Sequence, residues 1–264
     1  MSKTILITGA TDGIGLEAAK LLANEGHRVL VHGRSAAKLE GAVKAIGGDT
    51  QAYLADLSRT ADVQRLGDEV IADHQQLDVL INNAGVLKAP QTVTADGLDL
   101  RFMVNAIAPY MLTKRLLSLI PRDGRIINLS SAAQAPVDLT ALKGGIEMDD
   151  MDAYAQSKLA ITIWSYYLAG KLADGSSVLA VNPGSLLASK MVKEGFGIAG
   201  NDLAIGAIIL RRAAVDPDFS NVSGRYFDND IGAFGQPHPD ATDPEKVSAV
   251  MQAIKAAISQ LLNT

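Results

Sequence analysis

The chain has 264 residues, a formal net charge of −5, 48% hydrophobic and 20% charged residues, and no cysteine. This is globular composition, so disordered and collagen-like classes are excluded, as are disulfides, thiolate metal sites and a cysteine nucleophile. No Lys/Arg cluster of nucleic-acid-binding type exists; the longest apolar run, Leu203–Leu210, is far below the roughly 20 residues of a membrane span.

In chain order, short aliphatic runs predict strands at Thr4–Thr8, Arg28–His32, Gln51–Leu54, Asp78–Asn82, Arg125–Leu129, Ser177–Val181 and Gly224–Phe227. The central ones lack polar alternation, as strands covered on both faces do. Amphipathic stretches between them predict helices at Ile14–Asn24, Ala36–Ile46, Thr60–Asp73, Gly97–Leu119, Asp152–Ala173, Asn201–Ala214 and Pro244–Leu262. Such alternation implies right-handed βαβ units in a doubly wound parallel sheet, an α/β fold of Rossmann type. With no repeat or linker composition, residues 1–264 read as one domain with irregular regions at 132–150, 183–200 and 215–242. The short apolar start, Ile5-Leu6-Ile7, is too brief for a signal peptide, so the expected location is the cytoplasm.

Thr8-Gly9-Ala10-Thr11-Asp12-Gly13-Ile14-Gly15 follows the first strand and opens the first helix. Glycine allows a sharp turn and close approach to a pyrophosphate, and the helix start offers free N–H groups and a positive dipole end. The second strand ends His32-Gly33-Arg34-Ser35. An NAD-preferring site places a carboxylate there; a guanidinium suits a 2′-phosphate instead. NADP(H) is therefore the expected cofactor, with NAD(H) as the alternative. Asp12 counts against phosphate binding at the turn.

Further motifs follow in order: Asp56-Leu57, Asn82-Asn83-Ala84-Gly85, Asn105, Ser130-Ser131, Tyr154-Ala-Gln-Ser-Lys158 and Asn182-Pro183-Gly184. From Thr4 to about Gly184 the sequence resembles the short-chain dehydrogenase/reductase family. The resemblance implies a catalytic set of Asn105, Ser131, Tyr154 and Lys158. Tyr154 and Lys158, four apart, share a helix face. A nearby ammonium and a cationic nicotinamide would lower the phenol's pKa, suiting it to general acid/base work. Lys158 would also hold the nicotinamide ribose. Ser131 would hydrogen-bond the substrate oxygen, and Asn105 would hold a relay water. The cofactor would be lined by Gly9, Thr11, Asp12, Gly13, Ile14, Gly15, Arg34, Asp56, Leu57, Asn83, Ala84, Gly85, Tyr154, Lys158, Pro183, Gly184 and Ser189. Asn83 reads equally well as a strand brace. Ser189 stands in for the threonine that the family often carries after Pro-Gly.

The interval from Ser131 to Tyr154 is longer than in many family members and resembles the retinol-dehydrogenase-like branch. Its acidic end, Gly144 to Asp152, reads as a solvated loop or as a substrate lid offering Met148 and Met151. Val192, Phe196 and Ile198 read as an apolar substrate wall or as ordinary loop packing. The four His are far apart, so no metal site is expected. Helices 97–119 and 152–173 carry the family's usual pairing surface, which implies a homodimer or homotetramer; Trp164, Tyr166 and Tyr167 fall there or in the core. The expected activity is hydride transfer between the nicotinamide and a small-molecule ketone, aldehyde or alcohol. The rivals are an epimerase or dehydratase of related fold, and a non-enzymatic dinucleotide sensor.

Overall fold

The computed structural model describes residues 2–172, 175–188, 191, 193, 197 and 199–263. Its first half alternates β1 (Thr4–Ile7), α1 (Gly13–Asn24), β2 (Arg28–Gly33), α2 (Ala36–Ile46), β3 (Thr50–Leu54), α3 (Thr60–Asp73) and β4 (Val79–Asn82). A helical stretch then runs through α4 (Leu100–Phe102), a π turn (Met103–Ile107) and α5 (Ala108–Leu116) to β5 (Arg125–Leu129). The second half holds α6 (Leu139–Leu142), α7 (Asp150–Lys171), β6 (Ser177–Asn182), α8 (Leu203–Val215), β7 (Arg225–Asp228), β8 (Ala233–Gly235) and α9 (Pro244–Leu262).

The eight strands form one sheet in the order β3-β2-β1-β4-β5-β6-β7-β8. All neighbours are parallel except β7 and β8, an antiparallel hairpin. The order reverses between β1 and β4, so this is the doubly wound arrangement, with its switch point beside β1. Alternate strand residues feed opposite cores. Leu6, Leu30, Leu80, Ile126 and Val178 pack with α3, α5, α7 and α9, while Ile5, Val29, Val79, Ile127 and Leu179 pack with α1, α2 and α8. Both faces are covered, which explains the absence of polar alternation.

Three features depart from the expected elements. The β8 strand has only three residues and carries no periodic signal. The long helix starts at Leu100 rather than Gly97 and contains the π turn. Pro109 lies four residues after Asn105 and has no N–H for its carbonyl, which removes one ordinary helical bond at that point. The acidic end of the insert is a helix start rather than a free loop. Asp149 caps α7 by accepting from the N–H groups of Met151 (2.9 Å) and Asp152 (3.0 Å). Asp150 pairs at 3.1 Å with Arg101, which is fully buried and also holds Asp99 (2.9 Å) and the Met148 carbonyl (3.1 Å). Met148 is half-buried against the core and Met151 is exposed.

Trp164 is fully buried, 5.5 Å from the Tyr110 ring centroid, on the side where α9 packs over α7. It is core. Among the described residues, no helix is long and apolar enough to cross a membrane.

His32 ties three strand ends together. Its Nδ1 accepts from the Gly9 N–H (3.2 Å), its Nε2–H donates to the Ala55 carbonyl (3.0 Å), and its own carbonyl accepts from Ala10 N–H (3.0 Å). Burial pulls its pKa down to about 4, so the ring is neutral in the fold. The unfolded chain takes up that proton from about pH 6.5 downward, and the folded chain only near pH 4, so stability falls between those values. We expect wild type to lose about 3 kcal/mol more than His32→Gln over that range. Urea unfolding at stepped pH measures the difference, and parallel curves would refute the assignment.

Candidate active site

The site lies at the carboxyl edge of the sheet, around the switch point. Gly9 has φ +66°, and a Cβ there would meet the Ala84 backbone at 2.8 Å. Gly15 is equally constrained, because its Cβ would press on Asn83 Nδ2 and lie 2.6 Å from the Gly9 carbonyl. The turn is thus a tight cradle that only glycine fits. Asp12 occupies the cap position of α1 but makes no side-chain cap bond. Its carboxylate turns away to Lys38 at 2.9 Å, and the first turn of α1 contains no acid. The N–H groups of that turn therefore remain without a capping side chain. An uncapped helix start behind a glycine cradle fits a dinucleotide pyrophosphate, and the Asp12–Lys38 pair explains how an acid is tolerated there. Ile14 packs its side chain toward Gly206 of α8, so only its backbone faces the cradle.

Asn83 is a brace. Its Nδ2 donates to the carbonyls of Thr8 (2.8 Å) and Gly9 (3.0 Å), while the Thr8 hydroxyl accepts from the N–H groups of Asn83 (3.0 Å) and Ala84 (3.1 Å). Asp56 accepts from Ser58 N–H (2.9 Å) and Oγ (2.8 Å). Leu57 is buried in the core, and Thr11 lies against Gly33. Arg34, just beyond β2, is exposed and makes no ion pair among the described residues. Lys38, one turn into α2, was not singled out by its sequence context; its position four residues after Arg34 was the available signal.

Polar contacts fix α7 over β5. Asn128 Nδ2 donates to Ser165 Oγ (2.8 Å), and Asn82 Nδ2 donates to Asn128 Oδ1 (2.8 Å) and Thr113 Oγ1 (3.0 Å). Ser130 Oγ meets Thr162 Oγ1 at 2.6 Å. Ser165, Thr162, Lys158 and Tyr154 recur at steps of three or four, so they share one face. The next step along it, Lys158, donates from Nζ to the Leu129 carbonyl at 2.8 Å. The Lys158 ammonium is 5.6 Å from the Tyr154 ring centroid, and Ser131 hydrogen-bonds the phenol. Ser130 is therefore structural, while Ser131 faces the phenol. A Cβ on Gly85 would lie 3.5 Å from both Lys158 Nζ and Asn105 Oδ1, which puts the Asn83–Gly85 segment beside the same cluster.

Asn105 is completely buried. Its Oδ1 accepts from Val86 N–H (2.8 Å), and its Nδ2 donates to the Val86 carbonyl and Ser157 Oγ, both at 2.9 Å. Ser157 Oγ donates on to the Tyr154 carbonyl at 2.7 Å. Both Nδ2 hydrogens of Asn105 are therefore used within the fold, tying the Val86 segment to α7. Burial pulls the Lys158 pKa down to about 8. Burial also raises the Tyr154 pKa, with the Ser131 hydrogen bond opposing it. The expected lowering of the phenol is thus not a property of the protein alone: desolvation outweighs the Ser131 hydrogen bond.

Pro183-Gly184 turns the chain at the end of β6, with Gly184 at φ +118°. The turn is held from the β7–β8 hairpin. Asn229 Nδ2 donates to the Pro183 carbonyl (2.9 Å), while Asp230 accepts from Ser185 N–H (2.7 Å), Ser185 Oγ (2.5 Å) and Asn182 Nδ2 (2.9 Å). Ser189, Val192, Phe196 and Ile198 lie outside the described residues. Among the described residues, no group of three or more His, Asp or Glu is placed to hold a metal ion.

The family model for short chain dehydrogenase matches residues 3–196. Human retinol dehydrogenase 13 is 32% identical over 92% of this chain and 80% of its own length. Retinol dehydrogenase 12 from Bos taurus is 36% identical over 74% of this chain and 64% of its own. Among solved structures, an uncharacterized protein from Mycobacterium paratuberculosis superposes with a TM-score of 0.81 at 26% identity, covering 97% of this chain and 93% of that one. A Shigella flexneri short chain dehydrogenase complexed with NADP gives 0.69 at 26% identity, covering 86% and 96%. With the glycine cradle, the Ser131–Tyr154–Lys158 cluster and these matches together, the chain belongs to the short-chain dehydrogenase/reductase family, in its retinol-dehydrogenase-like branch.

Proposed function

We propose that this chain is an NADP(H)-dependent oxidoreductase that interconverts a ketone or aldehyde with the corresponding alcohol, working as one cofactor-binding domain. The observation that carries this reading is the convergence of Ser131, Tyr154 and Lys158 beside Gly85, at the sheet edge that the glycine cradle also faces. The cofactor, when bound, supplies the hydride to the carbonyl carbon. The chain's own residues handle the oxygen and the proton. Tyr154, kept protonated by burial, gives its proton to the carbonyl oxygen, and the Ser131 hydroxyl hydrogen-bonds the same oxygen as charge develops there. Lys158 holds positive charge beside the phenol and steadies the phenolate left behind. Asn105 holds the Val86 segment against α7, and its carbonyl, released from ordinary pairing by Pro109, is the place for a relay water.

NADP(H) is favoured by an Arg34 with no ion-pair partner among the described residues, the absence of a carboxylate at the end of β2, and Lys38 one turn away. Lys38 would turn from Asp12 to the 2′-phosphate. The similar Shigella flexneri structure is an NADP complex. Relatives named retinol dehydrogenase and polyprenol dehydrogenase point to an apolar alcohol or aldehyde.

Replacing Tyr154 with Phe should lower kcat for carbonyl reduction by about 10²–10⁴-fold while leaving NADPH affinity near wild type in calorimetry. Turnover close to wild type would reject the proton-transfer role. Arg34→Ala should weaken NADPH about tenfold or more, with NADH little changed. Lys38→Ala should act in the same direction. Equal losses for both cofactors would reject the 2′-phosphate assignment.

A further inference from the structure

Ser131 stands just past the end of β5. The last ladder bond there is from Ser130 N–H to the Val181 carbonyl (2.9 Å), and the peptide after Ser131 has no strand partner to orient it. Two side chains supply what the sheet does not. The Tyr226 hydroxyl, from β7, donates to the Ser131 carbonyl at 3.2 Å, and Gln134 Nε2 donates to the same oxygen at 2.8 Å. On the other side, Ser131 Oγ accepts from Ala133 N–H at 3.1 Å. The Ser131 backbone and hydroxyl are thereby held from both ends, with the hydroxyl against the Tyr154 phenol.

Tyr226 is suited to this task. It is buried, two strands from β5, and paired in register with Ala180 of β6. Burial, with Asp228 and Asp230 nearby, raises its pKa, so the hydroxyl remains a donor through the working pH range. Gln134 buries its Oε1 without a partner. Such a buried orphan costs free energy, which marks the amide as held for its donor end.

We propose that Tyr226 and Gln134 are positioning residues that orient Ser131 toward Tyr154 by hydrogen-bonding its carbonyl. This rests on the reading of Ser131 and Tyr154 as the reacting pair. It extends the site to residue 226, outside the 3–196 span matched by the family model. It also gives the β7 strand a direct part in the chemistry of β5.

The test compares Tyr226→Phe and Tyr226→Phe/Gln134→Leu with Phe227→Leu, a control at the adjacent β7 position whose side chain packs in the opposite core. The first readout is the tyrosine ¹³Cζ NMR spectrum at pH 7, with the Tyr154 resonance assigned from Tyr154→Phe. The Tyr154 line should move in Tyr226→Phe, move further in the double variant and stay in place in the control. The second readout is NADPH-dependent reduction. The kcat should fall about tenfold or more in the double variant, with KM and NADPH affinity within error of the control. An unmoved Tyr154 line, or an equal shift in the control, overturns the proposal. If wild type turns over no carbonyl substrate, the proposed function fails, and the NMR comparison still decides the positioning claim.

Discussion

The site depends on the seating of α7 across the carboxyl end of β5. Two polar rungs, Asn128–Ser165 and Ser130–Thr162, are buried between helix and strand. Buried polar groups tolerate little displacement, since a broken partner is left unsatisfied at a cost of about 1–3 kcal/mol. The rungs therefore fix helix rotation and register together. Once they are set, the helical repeat brings Lys158 to the Leu129 carbonyl and Tyr154 beside Ser131, so the chemistry is placed by groups that take no part in it.

The same burial sets the resting charges. Desolvation holds Tyr154 as a phenol and weakens the proton affinity of Lys158, whose pKa stands near 8. Both shifts disfavour the charged form, as expected of groups removed from water. A protonated phenol beside an ammonium at neutral pH is the arrangement needed to reduce a carbonyl. At the cradle the electrostatics are arranged differently. Asp12 would repel a phosphate, but Lys38 draws it aside and leaves the start of α1 without a side-chain cap, while Arg34 has no ion-pair partner among the described residues. His32 joins the cradle to β2 and β3 as a neutral ring, so the phosphate turn shares its integrity with the first three strands.

Much of this was legible in the residues. The strand–helix alternation and the sheet class followed from periodicity, and the Gly9 turn from its place between the first strand and helix, while Ser131, Tyr154 and Lys158 were implied by the resemblance to the short-chain dehydrogenase/reductase family. The missed features arise from contacts between distant segments. The weight of Asn83 as a brace depends on the Thr8 and Gly9 carbonyls, some 74 residues away in sequence. The β8 strand exists because β7 offers it an edge. Asp149 and Asp150 read as solvated acids until Arg101, far back in the chain, is seen buried against Asp150. Tyr226 carried no signal at all, since its meaning is one hydrogen bond across two strands. The π turn is the exception: Pro109 four residues after Asn105 was a readable cue.

In the proposed reaction the chain moves a hydride while Tyr154 handles the proton. The most direct measurement is single-turnover reduction of an apolar aldehyde with NADPH deuterated at the transferring C4 position. The deuterium should appear on the carbinol carbon of the product, with the hydroxyl proton drawn from solvent. Product formed without that label, or label lost to water, would contradict it.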